Sequence, residues 1–291
     1  MIKQYETINY EDIIDICSRI RGINLIPVDE LESPIGLRVE GGGYIFYDDT
    51  VGFSGGNVVS EGTVKPAVKP SDKNGTDIAA NALATRWGVE ASYGTYKYDM
   101  LRGCVVRESA GTCNRFMVVD ETDMVSSACG SMLMWDTSTA ASTSRATSTD
   151  FGQGSANTIL LAGGYDSSGN WISGAITDKS TIWPTVMYSR YKNPQGSSSA
   201  SNSAINTSWF VPSRDELCVL LFMSYYDSSY RPFYGKYKRQ LQIPFWPYYW
   251  SSSQYSDNAY YAWYGSFVLG GMYFTNKDYS SIIRVRLCRT F

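Results

Sequence analysis

The sequence predicts an α+β fold, with short strands and two or more helices in a chain of 291 residues. Two observations lead to this prediction. Capped helical patterns occur at residues 10–22, 76–88 and 213–226. Between and after them lie short apolar or alternating segments rich in turn-forming residues, which are typical of strands. The length allows one large domain or two ordinary ones.

The first third of the chain predicts helix, strand, linker and helix in that order. The first helix is capped by residues 9–12 and ends at Gly22, and its apolar face consists of Ile13, Ile14, Cys17 and Ile20. Residues 36–53 predict strand and turn around three consecutive glycines. Residues 60–77, with two prolines, predict a linker or long loop. An alanine-rich helix then ends at Gly88.

The middle of the chain predicts short strands separated by exposed loops. Strands are predicted in CVVRES, from Cys104, and in NRFMVV, from Asn114. The Ser- and Thr-rich residues 137–149 and 196–204 predict exposed loops.

The clearest local signal is WFVPSRDELCVLLFMSYY, residues 209–226. A short apolar strand is interrupted by Pro212, and Ser213 and Glu216 have the spacing of a capping box. The helix that follows is predicted to run to about Tyr226, with Leu217, Leu220 and Leu221 on its inner face.

The end of the chain predicts further strands. The large apolar residues Trp250, Trp263 and Phe267 are separated by turn formers. In the last ten residues, apolar and other side chains alternate: Ile283, Val285 and Leu287 on one side, and Arg284, Arg286 and Cys288 on the other. We expect this last segment to pair into a sheet.

The composition argues against most enzyme and metal chemistry. The chain has no histidine, which removes the catalytic arrangements and metal sites built on that residue. Its six cysteines form no CxxC pair, so we expect no zinc site; an even number permits disulfides, but in a reducing cytoplasm we expect buried thiols. We predict no catalytic residues and no cofactor. A net charge of −3 gives no reason to expect nucleic acid as a partner.

No apolar run is long enough to cross a membrane, and the first residues lack a signal-peptide pattern. We therefore expect no membrane insertion, and location in the cytoplasm or in an assembled particle.

Tyrosine is the compositional outlier. Thirteen of the 23 tyrosines lie between Tyr225 and Tyr279, among serine, glycine and asparagine. Antibody combining sites have this composition. A contact surface and a tyrosine-rich β-core both explain the enrichment.

Three segments together resemble one family. They are FGQGSANT (151–158), WFVPSRDEL (209–217) and YWSSSQYSDNAYYAW (249–263), and RVRLCR follows near the end. Their order and spacing are similar to those of the C-type-lectin-like domain of diversity-generating retroelement variable proteins and of formylglycine-generating-enzyme-like relatives. The resemblance implies a C-type-lectin-like domain at residues 101–291, preceded by a smaller attachment or oligomerisation region at 1–100. A start near residue 37 with an insertion is the alternative.

The resemblance implies that a reverse transcriptase rewrites adenines in the codons of the variable region, about residues 248–283. The replacement codons end in a pyrimidine, so they cannot encode Lys, Glu, Gln, Met or Trp. The 29 residues from Tyr255 to Ile283 contain only three of these: Trp263, Met272 and Lys277.

The resemblance also implies roles for particular residues. The expected ligand-binding positions are Tyr255, Ser256, Asp257, Tyr261, Tyr264, Gly265, Ser266, Val268, Leu269, Gly271, Tyr273, Phe274, Thr275, Asn276, Asp278, Tyr279 and Ser280. The expected fixed scaffold is Trp209, Pro212, Glu216, Trp250, Trp263, Phe267, Arg284 and Arg286.

The expected function is binding of a protein or glycan on a cell surface, by a homo-oligomer displayed on a bacteriophage tail or held in a bacterial cell. Three alternatives stay open. One is a fixed structural component of a particle, and the second is a lectin that works without calcium, because the calcium-ligand motifs of sugar lectins are missing. The third is an oxidase of the formylglycine-generating type, for which Cys218 and Cys288 would be the reactive pair.

Overall fold

Nine short strands and three helices form the described part of the protein. The computed structural model describes residues 24–31, 34–50, 93–111, 114–126, 130–136, 144–162, 181–187, 209–224, 245–269, 271–279 and 282–291. The strands are β1 (Leu25–Pro27), β2 (Tyr44–Asp48), β3 (Gly94–Asp99), β4 (Cys104–Ala110), β5 (Phe116–Asp123), β6 (Tyr248–Gln254), β7 (Tyr261–Ser266), β8 (Gly271–Asn276) and β9 (Arg286–Thr290). The helices are α1 (Gly154–Leu161), α2 (Trp183–Val186) and α3 (Arg214–Ser224), with a 3₁₀ turn at Val28–Glu30. The predicted α+β class is confirmed at this level.

The strands form three antiparallel sheets of three strands each. The first has the order β1-β3-β4, the second β2-β5-β9 and the third β6-β7-β8. Single bridges connect them: Val39 pairs with Val105, and Tyr249 pairs with Arg284 just before β9. The third sheet is a meander, because its strands are neighbours in the chain.

The second sheet joins residues from both ends of the chain. β2 pairs with β5, and β5 pairs with the terminal strand β9. The expected boundary at residues 100 and 101 lies in the turn of the β3–β4 hairpin. The described segment 34–50 is thus built into the same sheet as the last strand.

Helix α3 packs between the second and third sheets. Its capping residue Ser213 and its inner residues Leu217, Leu220 and Leu221 are buried. Each such leucine contributes roughly 2 kcal/mol through apolar burial. The side chain of Leu217 lies 3.3 Å from the position that a Cβ on Gly265 would take, so β7 approaches the helix closely there. The helix therefore holds the third sheet against the core.

Several predictions of local structure are confirmed, and others need correction. β4, β5 and α3 lie where the sequence predicts them. Only Phe210 of the predicted strand 209–211 forms a bridge. The loop predicted at 137–149 is found in the described residues 144–149, but only residues 144 and 146 of these are exposed, and the other four are half-buried. Arg145 and Thr147 in that segment hydrogen-bond to Gln254 of β6.

Other predictions fall outside the described residues: the helices at 10–22 and 76–88, the linker at 60–77 and the loop at 196–204. Helix α1, in FGQGSANT, has no counterpart among the predicted elements. Within the described ranges, no helix has both the length and the apolarity that a membrane crossing requires.

Candidate functional site

Glu216 connects two of the segments on which the resemblance rests. Its Oε2 accepts a hydrogen bond from the backbone N–H of Ser213 at 2.7 Å, and its Oε1 accepts one from Gly152 at 2.9 Å. Ser213 Oγ accepts the N–H of Glu216 at 3.3 Å in return, which completes the predicted capping box. A Cβ on Gly154 would overlap Glu216 Oε2, so only glycine fits beside this carboxylate.

Asn157 connects the third segment, residues 249–263, to the other two. Its Nδ2 donates to the carbonyl of Ser148 at 2.7 Å and to Ser252 Oγ at 3.2 Å, and its Oδ1 accepts from the N–H of Ser148 at 2.8 Å. Ser253 Oγ accepts from the N–H of Arg214 at 2.9 Å and donates to Ser148 O at 2.7 Å. One buried polar network therefore joins all three segments. Sequence reasoning missed Asn157 and the serines, although three serines inside a strand between Trp250 and Gln254 are an unusual signal.

Side chains alternate between the two faces of a strand, so the residues of the third sheet lie on one of two faces. Tyr264 lies opposite Tyr273 on one face, and Trp263 lies opposite Phe274 on the other. We call the first the tyrosine face and the second the helix face, because Gly265 on the second face meets α3.

The tyrosine face carries a row of rings. Tyr264 lies 6.0 Å from Tyr248 and 5.9 Å from Tyr273, measured between ring centroids. Burial raises the pKa of Tyr264, and the nearby Tyr248, Tyr273 and Tyr279 add to the shift. Within the described residues, the hydroxyls of these four tyrosines have no hydrogen-bond partner. They are therefore available to a ligand.

The helix face carries an aromatic cluster whose members contact one another. Phe274 stacks on Tyr255 at 3.9 Å and on Tyr261 at 5.4 Å. Trp263 meets Tyr255 edge-on at 5.3 Å, and the guanidinium of Arg214 lies 5.2 Å from the Trp263 ring centroid. These rings are half-buried or buried, so much of their surface is used inside the molecule.

The turn between β7 and β8 exposes apolar side chains. Val268 is 58% exposed and Leu269 is 63% exposed. The preceding Phe267 is half-buried, since it stacks on Phe245 at 4.9 Å and meets Tyr249 at 5.3 Å. The turn therefore exposes the apolar side chains of Val268 and Leu269 directly after Phe267, whose ring is held by its neighbours.

The expected ligand-binding residues differ in exposure. Exposed are Ser256, Asp257, Val268, Leu269, Asn276 and Tyr279; half-buried are Tyr255, Tyr261, Tyr264, Tyr273, Phe274, Thr275 and Asp278. Gly265, Ser266 and Gly271 are buried, which corrects their assignment to a contact surface: Gly265 lies against Leu217, and Ser266 Oγ accepts the N–H of Leu269 at 3.0 Å inside the hairpin. Ser280 lies outside the described residues.

Most of the expected scaffold residues are buried. They are Trp209, Pro212, Glu216, Trp250, Trp263 and Arg286, whereas Phe267 and Arg284 are half-buried. The two arginines share one carboxylate: Asp123 Oδ1 accepts from Arg286 Nε at 2.6 Å, and Oδ2 accepts from Arg284 Nη1 at 2.9 Å. Tyr249 also donates to Asp123 Oδ1 at 2.9 Å, and burial raises the pKa of this tyrosine to about 12. The third sheet is thereby tied to β5 and β9.

Lys277 is the buried anchor that sequence reasoning missed. Its side chain is 0% exposed, its Nζ donates to Gln254 Oε1 at 2.8 Å, and it lies 4.8 Å from the centroid of the Trp135 ring. Burial lowers the pKa of Lys277 to about 8; the Asp136 carboxylate opposes this shift and Arg145 adds to it. The carbonyl of Lys277 accepts the N–H groups of Trp135 at 2.8 Å and Asp136 at 3.1 Å. Lys277 thus fixes the end of β8 to the core.

The cysteines considered for the oxidase alternative are both buried. This holds for Cys218 and Cys288, and burial raises the pKa of the Cys288 thiol well above its ordinary value. A thiol with a raised pKa is a weaker nucleophile near neutral pH, because less of it is thiolate. In the described ranges, no three His, Cys, Asp or Glu residues are grouped so that they could hold a metal ion.

Comparison of the chain with models of protein families, with curated proteins and with solved structures found no match.

Proposed function

We propose that this protein is a ligand-binding variable protein with a C-type-lectin-like fold, and that its tail, residues 248–283, is a combining surface diversified by a retroelement. The ligand is a protein or glycan on a cell surface, bound without catalysis. Display on a bacteriophage tail or in a bacterial cell, as a homo-oligomer, would compensate for weak individual contacts through multivalency.

The observation that carries this proposal is the burial of the three residues between Tyr255 and Ile283 that the replacement codons cannot encode. Trp263 is 4% exposed, and Met272 and Lys277 are each 0% exposed. Of the 26 described residues between Tyr255 and Ile283, only eight are buried. Trp and Met are often buried in any protein, but Lys almost never is, so Lys277 carries the most weight. Each residue of this segment that the replacement codons cannot encode is therefore buried in the fold.

The hydrogen-bonded frame supports the proposal, because a surface can vary only where the fold is held elsewhere. The network of Glu216, Asn157 and Ser253 uses none of the expected ligand-binding positions, although Ser253 itself falls within residues 248–283. It joins three segments without using any tyrosine of the surface. Replacing a half-exposed tyrosine therefore leaves these buried groups paired.

The tyrosine face suits the proposed contact surface better than the helix face. The hydroxyls of Tyr248, Tyr264 and Tyr273 lack partners in the described residues, whereas the hydroxyl of Tyr255 on the helix face donates to Asp257 at 2.9 Å. Tyrosine gives a large contact area with few rotatable bonds to freeze. Residues 260–276 carry no charged side chain, so a charged ligand group would lose its hydration without gaining a counter-charge. We therefore expect an epitope that is uncharged where it meets the tyrosine face, although Asp257 and Asp278 are charged members of the expected ligand-binding positions.

The first experiment reads the DNA around the gene for a near-copy of the codons for residues 248–291, beside a reverse-transcriptase gene. We expect the two copies to differ mainly at adenines, in codons of exposed and half-buried positions such as Tyr264, Tyr273 and Asn276. The codons for Trp263 and Lys277 should be the same in both. The absence of a near-copy would favour a fixed particle component or a calcium-independent lectin instead.

The second experiment tests the protein directly, with two displayed libraries of equal size. One replaces Tyr264, Tyr273 and Asn276 through codons ending in a pyrimidine, and the matched control replaces Trp263, Met272 and Lys277 in the same way. We expect most members of the first library, and few of the second, to survive a protease challenge. Equal survival of the two libraries would contradict the division into frame and surface.

A further inference from the structure

Two of the nine described arginines lack an acidic partner. Seven form ion pairs: Arg38, Arg102, Arg115, Arg145, Arg214, Arg284 and Arg286. Within the described residues, Arg107 and Arg289 form none. Arg107 Nη2 donates to the amide Oδ1 of Asn114 at 2.6 Å, and Arg289 Nη2 donates to the carbonyls of Glu40 at 2.7 Å and Gly42 at 2.9 Å. All of these acceptors are uncharged.

The two guanidiniums share one aromatic ring. The Arg107 guanidinium carbon lies 5.2 Å from the centroid of Phe291, and that of Arg289 lies 5.1 Å from the same centroid. Asn114 links β4 to β9, which belong to different sheets, since it accepts from Arg107 and its Nδ2 donates to Thr290 Oγ1 at 2.7 Å. Two positive charges, one carried by β4 and the other by β9, therefore lie against the same ring.

The described structure offsets the burial of Arg289 only with uncharged groups: the two carbonyls, the ring of Phe291, and the ring of Trp209, whose centroid lies 5.2 Å from the guanidinium carbon. Arg289 is only 8% exposed, and burial together with the charge of Arg107 lowers the pKa of Arg289 to about 10. Asp120 acts in the opposite direction, but no oxygen of its carboxylate lies within 4 Å of the guanidinium. A buried charge without a counter-ion is strongly disfavoured.

Each arginine also has donors to spare. The Nε atoms of Arg107 and Arg289 are shielded from solvent and have no partner. The Nη1 atoms of Arg107 and Arg289 also have no partner among the described residues. Unlike the Nε atoms, they are not shielded from solvent. Arginine donors of this kind match the oxygens of carboxylate and phosphate groups.

We propose that Arg107 and Arg289 form a binding site for an oxyanion, of the carboxylate or phosphate type, which supplies the missing counter-charge. The two arginines belong to the first and second sheets and not to the tail, so the proposal does not depend on the proposed binding function. The oxyanion has two sources, a free ion or an acidic side chain of a second copy of the chain, and the experiment separates them.

The test compares melting temperatures in sodium phosphate, sodium acetate and sodium chloride at equal ionic strength. At a phosphate or acetate concentration about ten times Kd, we expect a Tm about 3–5 °C higher than in chloride. The variant Arg107→Gln should lose this increase. The control Arg102→Gln should keep it, because Arg102 is exposed and already pairs with Glu40 and Asp99.

Circular dichroism establishes whether Arg107→Gln is folded; if it is not, Arg107→Lys replaces it and should reduce the Tm increase. If an acidic side chain of a second copy supplies the oxyanion, sedimentation should show self-association that phosphate reverses and that Arg107→Gln abolishes. Equal Tm values in all three salts without self-association, or an increase that Arg107→Gln retains, would overturn the proposal.

Discussion

The substitution Lys277→Met removes the titrating group from the buried anchor and leaves a side chain of similar length. The folded pKa of Lys277 is lowered by burial to about 8, against an ordinary value of 10.5. Between these values the unfolded chain binds a proton that the folded protein has released. Stability therefore rises with pH in this window, because it rises wherever the unfolded state binds more protons. Below pH 8 both states are protonated, and the cost of the buried charge is fully present.

The magnitude follows from the shift. At about 1.4 kcal/mol per pH unit, with rounding at each end of the titration, Lys277 should add about 2 kcal/mol to the free energy of unfolding from pH 8 to pH 10. Cys288 and Tyr249 act in the opposite direction, because burial raises their pKa values and the folded protein keeps protons that the unfolded chain loses. Both groups remain in the variant, so their contributions cancel in the difference between the two proteins.

The assay is urea unfolding of the wild type and of Lys277→Met at pH 7, 8, 9 and 10. The free energy of unfolding of the wild type minus that of the variant should be constant from pH 7 to 8 within a few tenths of a kcal/mol, and should then rise by about 2 kcal/mol by pH 10. Gln254 Oε1 keeps its bond from the N–H of Arg145 at 2.8 Å, so the variant leaves no acceptor unpaired there. A difference that is independent of pH would refute the lowered pKa and, with it, the burial of the charged amine.

Two further substitutions test the polar frame, with the exposed Gln153→Ala as the shared control. Gly154→Ala places a methyl group against Glu216 Oε2 and 2.8 Å from the backbone atoms Ser213 N and Val211 O, and should lower the free energy of unfolding by about 2–4 kcal/mol in urea titrations; a loss below about 0.5 kcal/mol would show that the carboxylate and this backbone can both move aside. Asn157→Ala leaves the N–H of Ser148 without its acceptor and removes one of the two bonds at Ser148 O and at Ser252 Oγ, so it should cost about 1–3 kcal/mol by the same assay, whereas a loss no larger than that of Gln153→Ala would show that water replaces the amide.

The sequence predicts those structural features that depend on residues close to one another along the chain. The capping box of Ser213 and Glu216 is local, and it forms as predicted because its two bonds span three residues. The apolar patterns of β5 and of the terminal strand β9 are also local, and the two strands pair in the second sheet. The second role of Glu216, accepting from Gly152, could not be predicted, since those residues are separated by 64 positions.

The least predictable features are those assembled from distant segments. The loop at 144–149 looks exposed because it is rich in Ser and Thr, yet its hydroxyls and amides pair with β6 and α1. Lys277 follows a strand in a tyrosine-rich tail, where lysine is usually solvated. Its burial depends on Trp135, Gln254 and Asp136, which come from two other parts of the chain.

The division of the tail into two faces could have been predicted, because alternation along β7 already separates Trp263 from Tyr264. The alternation along the strand does not indicate which of the two faces is open to a ligand. That depends on α3, whose Leu217 closes the face at Gly265, and on the mutual stacking of Tyr255, Tyr261 and Phe274. A variable position on the helix face therefore alters packing as well as contact. On the tyrosine face, Tyr273 alters contact with less effect on the core, whereas Tyr264 also packs edge-on against the buried Trp250 at 6.2 Å. If diversification acts on this tail, substitutions on the tyrosine face should change affinity, and those on the helix face should change stability first.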